Sequence, residues 1–218
     1  QLISYEMGLK SSWNQQRVTL NAALFHYDYD DLQVSTFAEG TTRIENAASA
    51  KLTGLEVTLE ALVSDNLTLQ VAGTFLDSEY NDFITTFGNA PEGGPNVVDL
   101  SGNELINAPN TKIVSSVNYD IPMGDNGAYL MGQWTYVSEL WHSQFNEPTV
   151  GQDDVNLVDL RAGYRFGAGQ SWEIAALIRN ATNEQYFQNS VRFTSLSDPT
   201  TDPLRIGAAL GYPAEGRS

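Results

Sequence analysis

Not one cysteine occurs in this sequence, which excludes disulfides, thiolate zinc sites and thiol nucleophiles together. Basic residues are scarce: 11 Lys and Arg stand against 27 Asp and Glu, a formal net charge of −16. They form no cluster, so a nucleic-acid interface is excluded, because neutralising phosphates needs a concentrated basic face. The two histidines, His26 and His142, lie far apart without other ligands around them, and no metal site is expected. Asp28, Asp30 and Asp31 lack the spacing of a calcium loop and read as a solvated strand end. Long apolar runs are missing too. Nothing approaches the roughly 18 apolar residues of a membrane-spanning helix, and mean hydropathy is −0.28. That does not weigh against a membrane β-barrel, whose strands are apolar only at every second position.

What the chain has is alternation. Leu55, Val57, Leu59 and Ala61 fall on one side, Glu56, Thr58 and Glu60 on the other. After Ser64-Asp65-Asn66 the pattern resumes, with Leu67, Leu69, Val71, Gly73 and Phe75 against Thr68, Gln70, Ala72 and Thr74. A period of two means β-strand, and two such arms joined by a tight turn mean a hairpin. These arms exceed the usual strand of about 5–6 residues. An apolar side facing lipid and a polar side facing enclosed water produce this string.

The same reading extends along the chain. Strands are expected over Tyr5–Trp13, Arg17 to about Val34, Asn46–Ala61, Leu67 to about Asn81, Lys112–Met123, Ala128–Trp141, Val155–Phe166 and Ser171 to about Phe187. Their connections run short, long, short, long: Asn14–Gln16, Phe37–Thr42, Ser64–Asn66, Asp82–Asn110, Gly124–Gly127, His142–Asp154, Gly167–Gln170 and the tail. Asp82–Asn110, rich in Gly, Pro and Asn, has no sustained period and reads as an irregular loop. Tight turns at one end and long loops at the other are the rhythm of an outer-membrane barrel. Aromatics gather near the strand ends. Trp13, Tyr129, Phe166 and Trp172 flank the short turns, while Phe25, Tyr27, Tyr29, Tyr80, Phe83, Tyr136, Trp141, Tyr186 and Phe187 flank the long loops. They read as two interfacial girdles.

Four segments carry a likeness. Tyr5–Lys10 (YEMGLK), Asn21–Val34 (NAALFHYDYDDLQV), Asn46–Glu56 (NAASAKLTGLE) and Asn180–Tyr186 (NATNEQY) resemble, in order and spacing, barrel strands of TonB-dependent outer-membrane receptors. The resemblance spans nearly all of residues 1–218. It implies an all-β, antiparallel up-and-down transmembrane β-barrel, present here in part: about eight strands of a barrel of about 22. It implies residence in a bacterial outer membrane, lipid around the wall, and uptake of a scarce small molecule such as a ferric siderophore, vitamin or oligosaccharide. Energy would come from TonB acting through an N-terminal region that this chain does not contain. No plug, TonB box or leader precedes Gln1, and Pro213–Ser218 resembles the loop before a closing strand, so the chain is read as the C-terminal part of a longer receptor. A passive porin and a secreted β-sandwich carbohydrate-binding module are the competing readings.

The candidate residues follow from this frame. Glu56 and Glu60 share a polar side; a glycosidase pair is one reading of them and a lumen wall the other, and the second is adopted. Arg161, Arg165 and Arg179 are placed toward the lumen, where they would touch an anionic ligand or balance Asp and Glu across the wall. Ligand capture falls to the long loops, where Trp141, His142, Gln144 and Asn146 combine an aromatic ring with hydrogen-bonding groups. No Ser-His-Asp constellation appears, and neither an enzyme nor a cofactor is expected.

Overall fold

The computed structural model describes residues 1–38, 41–89, 95–192 and 209–213. Nearly all of them are strand. In chain order the strands are β1 (Leu2–Trp13), β2 (Val18–Ala38), β3 (Thr41–Ser64), β4 (Leu67–Asn89), β5 (Pro95–Asp99), β6 (Thr111–Met123), β7 (Asn126–Val137), β8 (Leu140–Trp141), β9 (Gly151–Gln152), β10 (Val155–Phe166), β11 (Trp172–Ile178), β12 (Phe187–Arg192) and β13 (Ala209–Pro213). One sheet runs β1-β2-β3-β4-β6-β7-β10-β11, every neighbour antiparallel, with β5 joined to β4. Eight strands thus follow one another up and down, as the alternation predicts.

The register decides which residues share a face. Row after row of apolar residues lines up: Met7, Leu24, Leu55 and Phe75; then Leu20, Leu59, Val71, Trp134 and Val158; then Val18, Leu69, Val117, Leu160 and Ile178. In β10 the apolar side runs from Val158 to Phe166, close to the about 9–11 residues a tilted strand needs to cross a bilayer. This face is bare. Leu55, Leu59, Leu69 and Val71 are 37, 37, 39 and 40% exposed, and no second layer of protein covers them among the described residues. A β-sandwich buries such residues beneath its other sheet, so the sandwich expectation is set aside. Toward the long loops the same face turns abruptly polar, to His26, Thr53 and Asp77, then Asp28, Lys51 and Glu79. There Lys51 and Glu79 form an ion pair at 2.7 Å, which raises the ammonium pKa.

The opposite face is polar through its middle, with rows such as Lys10, Asn21 and Thr58, and Ser12, Thr19, Glu60, Gln70, Ser116 and Gln133. Many of the aromatics assigned to girdles lie here instead. Phe25, Tyr27, Tyr29 and Tyr80 pair across strands with Gly54, Leu52 and Ala50 of this face, and Tyr129 pairs with Gly163. Their parity turns them away from the apolar side. Trp13, Tyr136, Phe166 and Trp172 do share the apolar face.

The turns are as short as their composition demands. Asn14, Gln15 and Gln16 adopt φ of 52, 56 and 67°, and Arg17 then reaches across to Asp65 at 2.9 Å, tying neighbouring turns together. Gly124, at φ 63°, supplies the left-handed residue for the two-residue link between Met123 and Asn126.

The long connections depart from expectation. β2 and β3 pair as far as Ala38 and Thr41, so the loop predicted at Phe37–Thr42 is mostly ladder; its Glu39-Gly40 lies outside the described residues, as does Ala214–Ser218. β4 continues past Asn81 to Asn89, and β5 folds back on it, pairing Ile84 with Asp99 and Thr86 with Val97. Bulges at Asp30-Asp31 and Asn81 shift the parity, so that Leu32, Ala48 and Phe83 fall on one side. A small core gathers there from Val34, Ala48, Ala50, Tyr80, Phe83 and Leu100, with Leu105 and Phe145 against it. The strand expected to reach Phe187 stops at Ile178. Asn180, at φ 48°, makes a corner: its N–H donates to Asp159 Oδ1 at 2.8 Å and its side chain binds both backbone groups of Glu184.

Candidate functional site

Near the short turns, the polar face carries a charge cluster. The ring of Tyr129 lies directly over Gly163, where any Cβ would overlap it. Tyr129 Oη donates to Glu173 Oε1 at 2.8 Å, and Arg161 Nη2 donates to the same oxygen at 2.7 Å. Arg165 reaches Glu173 Oε2 at 3.2 Å and stands 3.7 Å from Asp120, its guanidinium 4.4 Å from the centre of the Tyr129 ring. Two cations meet two carboxylates, so the cluster is neutral, and each arginine is tied to Glu173. Arg179 lies one residue beyond β11 and takes no part. Period two would have revealed Glu173: Arg165 is its cross-strand partner once Gly167–Ser171 is read as the turn.

Glu60 accepts from Gln70 at 3.2 Å. Glu56 lines a recess of about 470 Å³ with Glu6, Lys10, Asn21 and Thr58, opened by the small Gly8 and Ala23 of its row. Four residues along one strand separate Glu56 from Glu60, about 13 Å of rise. Glycosidase carboxylates stand at most about 9.5 Å apart. Their backbone positions are thus set wider than the carboxyl separation of such a pair.

The long-loop end holds the other named residues. Trp141 Nε1 donates to Glu104 Oε2 at 2.7 Å, and Asn110 Nδ2 to Glu104 Oε1 at 2.9 Å. Asn146, at φ 49°, grips the backbone of Glu104 with both ends of its amide, at 2.7 and 3.1 Å. Asn103 Nδ2 donates to the carbonyl of Gln144 at 2.9 Å, and the Asn107 N–H to that of Trp141 at 2.8 Å. His142 Nδ1 lies 2.8 Å from Asn107 Oδ1. Loops 100–110 and 138–152 are therefore buckled into one body, in which the Trp141 indole N–H, His142 Nδ1 and the Asn146 amide are engaged. Sequence reasoning missed Glu104, Asn103, Asn107 and Asn110; the signal was the density of Asn in SGNELINAPN, since Asn tolerates the left-handed region that Asn107 occupies at φ 54°.

Removing the hub tests this arrangement. Glu104→Ala strands two donors and should loosen the loops by about 1–3 kcal/mol. Hydrogen exchange should quicken at 103–110 and 141–146 while the central strands stay protected. Unchanged exchange would show that the packing around Leu105 and Phe145 holds the loops alone.

Residues 2–181 match the family described as TonB dependent receptor-like, beta-barrel. The chain belongs to that family. Among solved structures, the ferric yersiniabactin uptake receptor FyuA from Yersinia pestis superposes with a TM-score of 0.75 at 20% identity, over 99% of this chain and 28% of its own. The siderophore receptor PiuA from Acinetobacter baumannii gives 0.71 at 18%, over 99% and 27%. The ferripyoverdine receptor of the Pseudomonas aeruginosa outer membrane gives 0.59 at 13%, over 98% and 25%. At these identities the likeness is one of fold. The chain spans about a quarter of the length of these receptors, so it corresponds to a segment of a TonB-dependent receptor barrel.

Proposed function

We propose that this chain forms part of the wall and outer loops of an outer-membrane receptor that takes up a ferric siderophore in a TonB-dependent manner. One observation carries the reading: an eight-strand antiparallel sheet with one bare apolar face and one polar face, matched over its length by siderophore receptors. The apolar face meets lipid, and the polar face, with Glu56, Glu60, Arg161 and Arg165, meets the water of the lumen. Arg179, just beyond β11, is assigned to the same side. Ligand arrives at the long-loop end. There Trp141, His142, Gln144 and Asn146 belong to a buckled wall, which offers a shaped surface at low entropic cost rather than a set of free donors. A vitamin or oligosaccharide in place of the iron chelate would use the same wall.

The test is uptake by the full-length gene product in outer membranes with and without functional TonB. Iron-limited cells should take up radiolabelled iron from at least one of a panel of ferric chelates, and uptake should vanish without TonB. Uptake that persists without TonB would indicate a passive porin, and TonB-dependent uptake of a sugar or vitamin alone would move the ligand class.

A further inference from the structure

We infer that His142 is a proton-sensitive latch between the two buckled loops, closed at neutral pH and released by mild acid. The imidazole sits at their junction. Its backbone N–H donates to the Val150 carbonyl at 3.2 Å, its Nδ1 bonds the Asn107 side chain at 2.8 Å, and the Asn107 N–H donates to the carbonyl of Trp141. With the Asn107 oxygen facing it, Nδ1 carries the hydrogen. Nε2 is then a bare lone pair, and it is buried without a hydrogen-bond partner. A proton arriving there makes an N–H with no acceptor at a buried atom of a half-buried ring.

The surrounding charges do not rescue that cation. Glu104, on the facing loop, spends both oxygens on Trp141 and Asn110, while Glu139 and the buried Glu147 share the loop of His142; none forms an ion pair with the imidazole among the described residues. Desolvation accordingly lowers the His142 pKa below its ordinary value. The sign follows. Above the usual histidine pKa, about 6.5, closed and open loops are both unprotonated and the latch is at full strength. As pH falls below that value the open form takes up the proton first, and closure weakens until the lowered pKa is reached. One proton limits the change to about tenfold in the opening constant per pH unit.

Hydrogen exchange on the full-length receptor in lipid nanodiscs tests the latch, at about pH 7.5 and about pH 5.5 with intrinsic rates corrected. Opening of 103–110 and 141–150 should rise on acidification in the native protein and stay flat in His142→Gln, whose amide takes no proton. Equal acid response in both, or none in the native protein, overturns the latch. Should His142→Gln not assemble, the titration of the His142 ring by carbon NMR decides instead: a midpoint at or above about 6.5 overturns the proposal, and one below it, accompanied by loop opening, upholds it.

Discussion

Leu59→Arg should weaken the receptor barrel in a bilayer by about 2–4 kcal/mol, the range for a cation near the midplane on a lipid-facing strand. Thr58→Arg, one residue away, should change stability by less than about 1 kcal/mol. The contrast rests on parity. Leu59 shares its row with Leu20, Val71, Trp134 and Val158 on the bare face, whereas Thr58 lies among Lys10, Asn21 and Ala72 on the polar one. An arginine at 58 would also have Glu56 and Glu60 on either side along the strand, so its charge enters an acidic neighbourhood. Urea unfolding of the full-length protein in vesicles measures both. Equal penalties, or a larger one at Thr58, would mean that the polar face is the buried one and would remove the membrane reading.

A second large effect is expected at Gly163. The Tyr129 ring occupies the space of the missing side chain, so valine there must push the ring away. Overlap of this kind destabilises by about 1–3 kcal/mol, and loss of the aromatic packing adds about 1 kcal/mol. The displaced phenol also releases its hold on Glu173 and its place beneath Arg165. The decisive measurement is a double-mutant cycle. Tyr129→Ala should remove most of the penalty of Gly163→Val, because the clash has lost its partner. Strictly additive losses would show that glycine is needed there for another reason. Phe25 over Gly54 repeats the device toward the long loops, where valine at 54 should behave similarly.

Much of this architecture was legible in the sequence because strand parity is local. The alternation from Leu55 to Phe75 and the short polar turns needed no partner to be seen, and together they predicted an up-and-down sheet with one greasy side. Composition did the rest: no cysteine, no basic cluster, and no apolar run long enough for a helix across a membrane. The likeness to a receptor family rested on four short segments, and the family match now covers residues 2–181.

The aromatic residues show where this kind of reading stops. Phe25, Tyr27, Tyr29, Tyr80 and Phe83 are expected near strand ends, as girdle residues are, yet they lie inside the long strands β2 and β4 and point to the polar side. There Tyr29, Tyr80 and Phe83 pack in or against a small core, Phe25 covers Gly54 and Tyr27 stacks on Phe25. Distance along a strand is a one-dimensional quantity, whereas facing is fixed by pairing. A bulge at Asp30-Asp31 or Asn81 adds one residue and inverts every side chain beyond it, with no fixed mark in composition. The loops were opaque for a related reason: Glu104 meets Trp141 across 37 positions, a pairing that only closure of the chain can make. The sequence by itself thus determined that the ribbon has two unlike sides and turns back on itself up and down. Tertiary structure alone decided which aromatics face which side, how far the ladders extend above the apolar belt, and which loops are bound to one another, because those depend on contacts between residues remote in the chain.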